Sequence, residues 1–156
     1  MLTITEENVL VNVEADTKEE VIRILVDLLV KNGCVKPEYY NILIEREEQY
    51  PTGLPTESVQ VAIPHGCSEG TVLKPAVAVA TLARKVVFRN MANKEEELSV
   101  GIVFMLALVS EHELAEDLNR IMSVFSEGDV LSRLYAAKSG SEVTRIMDES
   151  LKKTDQ

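Results

Sequence analysis

This chain holds only two histidines, and one of them closes an apolar stretch: Val59-Gln60-Val61-Ala62-Ile63 runs into Pro64-His65-Gly66. A neutral imidazole is a competent nucleophile near pH 7. One ring nitrogen can attack phosphorus while the other donates to a carbonyl or carboxylate that fixes the tautomer. A histidine in this place equally serves as a structural group capping a strand end. Upstream stand Arg46-Glu47-Glu48 and then Thr52-Gly53. A guanidinium grips phosphoryl oxygens bidentately, and a threonine hydroxyl can donate to another. In that arrangement Glu47 would orient Arg46 or the imidazole. The run Glu45–Glu48 also reads as the solvated end of a helix, with Arg46 placed favourably at its negative pole.

The remaining candidates are weaker. His112, in Ser110-Glu111-His112-Glu113, follows a long apolar run that ends at Val109. It reads either as a second pocket group delivered to the same rim or as an exposed histidine at a helix start. His65-Gly66-Cys67 offers two metal ligands, but no CxxC, HExxH or further close pair completes a site. Cys67 as a nucleophile needs a base and an orienting partner that local spacing does not supply. No GxGxxG or GxxxxGK[ST] is present to cradle a nucleotide.

The elements that must position His65 follow from periodicity. Val59, Val61 and Ile63 alternate with Gln60 and Ala62, which predicts a strand. Pro64 lacks an N–H and biases Ile63 towards extended backbone, so pairing is expected to stop there and leave His65 on a rim. Gly66, without a Cβ, allows backbone to approach the imidazole closely. Asn8 to Val13 reads as a first strand. Thr17 and Glu20 form a capping box before a helix whose Val21, Ile22, Leu25, Val26 and Leu29 share one face, with Gly33 as its stop. Pro37 suits the first turn of a second helix that carries Tyr40, Leu43 and Ile44 inward to about Gln49.

Ala76–Leu82 and Val86–Phe88 predict short strands, and Val100–Val109 a central strand buried on both faces. Glu95-Glu96-Glu97 is a solvated hairpin or loop. Three helices follow. The first carries Leu118, Ile121, Met122 and Phe125, the second Val130, Leu131 and Leu134. The third is capped by Ser139 and Glu142 and buries Val143, Ile146 and Met147. The expected fold class is α/β, one domain over residues 1–156, with a mixed sheet flanked by helices on both faces.

Composition narrows the function. The 156 residues suit one domain with a substantial core. Acidic residues outnumber basic ones 26 to 16, for a net charge of −10, which disfavours nucleic acid and anionic lipid and suits a basic protein partner. No apolar run is long enough to cross a bilayer and the N-terminus lacks a signal-peptide pattern, so a cytoplasmic location with Cys34 and Cys67 as thiols is expected.

Glu45-Arg46-Glu47, Thr52-Gly53 and Val61-Ala62-Ile63-Pro64-His65-Gly66 together resemble the fructose/mannitol-type enzyme IIA of the bacterial sugar phosphotransferase system. The similarity in element order spans nearly the whole chain. Arg46–Gly53 is most similar to the galactitol-specific branch. The resemblance implies a phosphorelay without metal or organic cofactor. His65 accepts a phosphoryl group on Nε2 from the carrier HPr, and a IIB component takes it onward, linked in turn to a membrane IIC component that binds the sugar. By motif position Arg46 and Thr52 become pocket residues.

Mannitol-like members carry a second histidine at the head of a helix pattern that falls here on Asp117-Leu118-Asn119-Arg120-Ile121. Asp117 therefore stands in its place, and His112 matches only if the loop shifts. The alternatives are a regulatory phosphoprotein that uses His65 to control a partner, and a non-enzymatic anion-binding module built on Arg46.

Overall fold

The computed structural model describes residues 3–154. Among them a 3₁₀ turn at Glu6–Asn8 leads into six strands: Val9–Val13 (β1), Gly53–Leu54 (β2), Gln60–Ala62 (β3), His65–Cys67 (β4), Ala76–Asn90 (β5) and Asn93–Leu108 (β6). The five helices are Lys18–Lys31 (α1), Tyr39–Gln49 (α2), Glu111–Val124 (α3), Val130–Ala136 (α4) and Gly140–Thr154 (α5).

Local chemistry sets the helix ends. The Thr17 hydroxyl accepts from the Glu20 amide at 3.2 Å, and Ser139 does the same for Glu142 at 3.2 Å. In both caps the glutamate reaches one residue beyond the cap, to the amides of Asp16 at 3.2 Å and Lys138 at 3.3 Å. Two helix starts thus share one variant of the capping box. After α1, Gly33 takes φ +74°, a left-handed conformation that only glycine adopts without strain, and the chain turns away.

β5 and β6 pair antiparallel along most of their length, and β1 adds in parallel to β5. The other edge of β6 is shared by β3 and β4, one after the other and both parallel to it. The expected pair of short strands is thus a single 15-residue strand. Its register shifts between Thr81 and Val86, and there Ala83, Arg84 and Lys85 emerge into solvent. That polar interruption is what reads as a gap in the sequence.

Two cores cover the sheet. Val61, Ile63, Ile102 and Phe104 pack with α3, α4 and α5, while Ala62, Val103 and Met105 pack with α1 and α2. β6 is buried on both faces from Val100 to Leu108, as its near-continuous apolar run predicts. Glu95, Glu96 and Glu97 lie exposed beside the β5–β6 turn.

Two helix faces are rotated by about one residue from expectation. In α2 the buried side chains are Tyr39, Leu43 and Glu47, while Tyr40 and Ile44 are half-buried. In α3 they are Leu114, Asp117, Ile121 and Val124, with Met122 exposed. In each case a buried acid occupies the inward stripe, and a stripe interrupted by charge does not register as apolar.

Candidate functional site

His65 does not end the sheet. β4 starts with it, and His65, Gly66 and Cys67 lie opposite Leu106, Ala107 and Leu108 of β6. Pro64 has no N–H to give, but its carbonyl accepts from the Leu106 amide at 3.0 Å, so pairing resumes directly after it. The expectation that pairing stops at Pro64 is therefore corrected. His65 stands in a three-residue strand at the edge of the sheet.

The imidazole is half-buried, and its Nδ1 lies 2.6 Å from the carbonyl oxygen of Ile63. A carbonyl only accepts, so this contact holds the proton on Nδ1 and leaves the Nε2 lone pair unprotonated. Burial lowers the imidazole pKa below the usual 6.5; the bond to Ile63 opposes that and the Arg46 charge adds to it. At neutral pH the ring is neutral, with a fixed tautomer.

Beneath the strand lies a residue that periodicity does not single out. Tyr39, at the start of α2, is fully buried, and its hydroxyl lies 2.8 Å from the Leu106 carbonyl and 3.1 Å from the Gly66 carbonyl. Burial drives its pKa well above the ordinary tyrosine range, so it stays protonated and donates. Gly66 faces this ring, since a Cβ there would stand 3.4 Å from the hydroxyl and 3.6 Å from Leu43. The space beside Gly66 is thus filled by a tyrosine and not by approaching backbone. By alternation His65 and Cys67 face the other layer, and Cys67 packs against the cluster containing Leu114 and Ile121.

The remaining candidates divide. Arg46 is exposed in the last turn of α2, and its charge reaches both His65 and Tyr39. Thr52 is buried, and its hydroxyl donates to the Glu47 carboxylate at 2.9 Å, while its amide donates to the same carboxylate at 2.8 Å. The single hydroxyl proton is therefore committed to Glu47 and not available to a phosphoryl oxygen. Glu47 orients Thr52, not Arg46 or the imidazole directly.

Asp117 is buried on the face of α3 that packs towards the sheet, in line with Leu114 and Ile121. Burial raises its pKa, and Arg120 opposes this. His112 lies one turn earlier on the outer face, 84% exposed, with Nε2 3.1 Å from Glu116. Both candidates for a second pocket group lie on α3, and of the two only Asp117 is on the buried face that packs towards the sheet.

Residues 3–150 match the family model described as the phosphoenolpyruvate-dependent sugar phosphotransferase system, EIIA 2. The chain belongs to that family. The ascorbate-specific EIIA component of Shigella boydii serotype 4 (strain Sb227) is 30% identical over 138 residues, covering 88% of this chain and 86% of that one. The mannitol-specific EIICBA component of Escherichia coli (strain K12) is 30% identical over 143 residues, covering 90% of this chain and 21% of that longer protein. The solution structure of enzyme IIAMTL in complex with phosphorylated enzyme IIBMTL from Escherichia coli superposes with a TM-score of 0.80 at 26% identity, covering 96% of this chain and 99% of that one.

This EIIA component is a phosphotransferase, and its α/β fold is the mannitol-type one. Among its described residues no helix is long and apolar enough to cross a membrane. Sequence reasoning singles out His65 and Arg46 through their motif, and the structure brings the Arg46 charge within reach of the imidazole. It misses Tyr39, and it misassigns the partner of Glu47. The only local signal for either was the helical spacing of residues 39, 43 and 47, which the charge at 47 conceals.

Proposed function

We propose that His65 of this EIIA component is the phosphoryl acceptor, taking the group on Nε2 from phospho-HPr and passing it to a IIB component. The observation that carries the reading is the 2.6 Å contact between Nδ1 and the Ile63 carbonyl. In the transfer the Nε2 lone pair forms the new N–P bond as the donor imidazole's N–P bond breaks. The donor ring leaves with that electron pair. The His65 ring then carries both a phosphoryl group and its Nδ1 proton, and the Ile63 carbonyl stabilises the positive charge that develops there.

Arg46 supplies positive charge to the transferring group from the exposed end of α2. Asp117 takes the second pocket position, and Thr52 shapes the pocket by holding its loop. An acidic surface suits a basic carrier, and the working location is the cytoplasm, beside a membrane IIC component. The cargo of the wider system is of the ascorbate or mannitol kind, which the named relatives support; nothing in them supports the galactitol suggested by Arg46–Gly53.

Intact-mass spectrometry at alkaline pH tests the assignment after incubation with enzyme I, HPr and phosphoenolpyruvate. One acid-labile phosphoryl adduct is expected on the wild type and none on His65→Gln. No adduct on the wild type, with HPr shown to be active, refutes the relay and brings an anion-binding module forward.

A further inference from the structure

A continuous line of hydrogen bonds joins a buried carboxylate to the imidazole. Glu47 and Thr52 are 4% and 2% exposed, and two donors of Thr52, its amide and its hydroxyl, close on the one carboxylate. The Thr52 carbonyl then accepts from the Ile63 amide at 3.1 Å. Ile63 is fully buried, and its own carbonyl meets His65 Nδ1. The register makes the middle link intelligible. Gly53 pairs with Ala62 and Leu54 with Val61, so Thr52–Ile63 is one more rung of the β2–β3 ladder, the last before the chain enters Pro64-His65.

Resting on the assignment of His65 as phosphoryl acceptor, we propose that Glu47 is a positioning residue that sets the His65 tautomer through Thr52 and Ile63. The peptide between Ile63 and Pro64 has no N–H, so no donor of its own can hold the plane of the Ile63 carbonyl. Its orientation depends on the rung next to it. That rung ends the ladder, where fraying is greatest, and the two-point grip of Glu47 on Thr52 replaces the rung that is missing beyond it.

The coupling is geometric rather than electronic. The amide and the carbonyl of Thr52 belong to different peptide units, as do those of Ile63, so polarisation is not passed along the line. A threonine that merely closed the loop would need one bond to Glu47; two fix both its backbone and its side-chain rotamer.

The test is a long-range nitrogen–proton NMR spectrum of the imidazoles in the full-length protein at pH 7.5, for wild type, Glu47→Gln and Thr52→Val. Solvent-exposed His112 serves as the internal reference. His65 in the wild type should be wholly Nδ1-protonated. Both variants should show a growing Nε2-protonated fraction at His65 and no change at His112, with phosphoryl uptake from phospho-HPr slowed by about tenfold. Thr52→Val keeps the amide bond to Glu47 and the side-chain shape, and it carries the test if Glu47→Gln does not fold. An unchanged His65 tautomer in the folded variants overturns the proposal whatever the rate does, because Glu47 then only braces the loop. The spectrum requires no phosphorylation, so it stands apart from the test of the relay itself.

Discussion

Replacing Tyr39 with phenylalanine removes one oxygen from a fully buried site and nothing else. The hydroxyl lies within 3.1 Å of two carbonyls in the β4–β6 ladder, that of Leu106, which pairs with His65, and that of Gly66, the next residue of β4. Each carbonyl keeps its place in the ladder, so the loss is close to one net hydrogen bond, about 1 kcal/mol. With a urea slope of roughly 2 kcal/mol/M the unfolding midpoint falls by about 0.5 M, with the slope itself unchanged. The same energy bounds the effect on phosphoryl uptake at about fivefold, since no more strain than this can be lost from the frame.

The pH dependence carries a second signature. The folded tyrosine pKa is raised above its unfolded value of 10.0, so the unfolded state loses its proton first and wild-type stability falls as pH rises past 10. The part of that fall due to Tyr39 should vanish in Tyr39→Phe. An unchanged urea midpoint would show that the hydroxyl holds nothing. A loss of uptake beyond a hundredfold with stability intact would make the tyrosine a participant in the chemistry, contrary to this reasoning.

Three further outcomes are expected. The rate of phosphoryl uptake should fall on acidification with a midpoint below pH 6.5, because the lowered His65 pKa delays protonation of Nε2; quench-flow between pH 5 and 8 would show a midpoint at or above 6.5 if burial does not act as argued. Gly53→Ala should destabilise by about 1–3 kcal/mol, since a Cβ there meets the Arg89 carbonyl oxygen at 2.5 Å, whereas Gly66→Ala makes ordinary contacts and should cost less than about 1 kcal/mol by urea denaturation. Asp117→Asn should unfold at higher urea than the wild type at pH 8, with the advantage shrinking towards pH 4 as the wild-type carboxyl takes up its proton; the reverse order would mean that burial is not the dominant influence on Asp117.

The sequence disclosed the helix caps at Thr17 and Ser139, the doubly buried β6 and the placement of helices on both faces, because each rests on local chemistry or strong periodicity. What it concealed lies at the site. Glu47 and Asp117 sit in buried helix stripes where charge is read as outward, and each displaced the inferred face of its helix by about one residue. Pro64 reads as a terminator because its missing donor is visible in sequence, while its carbonyl, which continues the pairing, is not. Tyr39 was silent because its partners are backbone atoms of residues 27 and 67 positions away. Local rules fail where the chain uses polar groups inside itself, as it does at Tyr39, Glu47 and Asp117.

The partner strand of His65 has a consequence for the timing of activity during synthesis. Leu106, which anchors both Pro64 and Tyr39, leaves the ribosome roughly 40 residues after His65, a delay of about 2 to 8 seconds at ordinary elongation rates. Over that interval the nascent chain displays its histidine without the strand that frames it. On the proposed relay, a growing chain presents no framed histidine to a phosphoryl donor until β6 is complete.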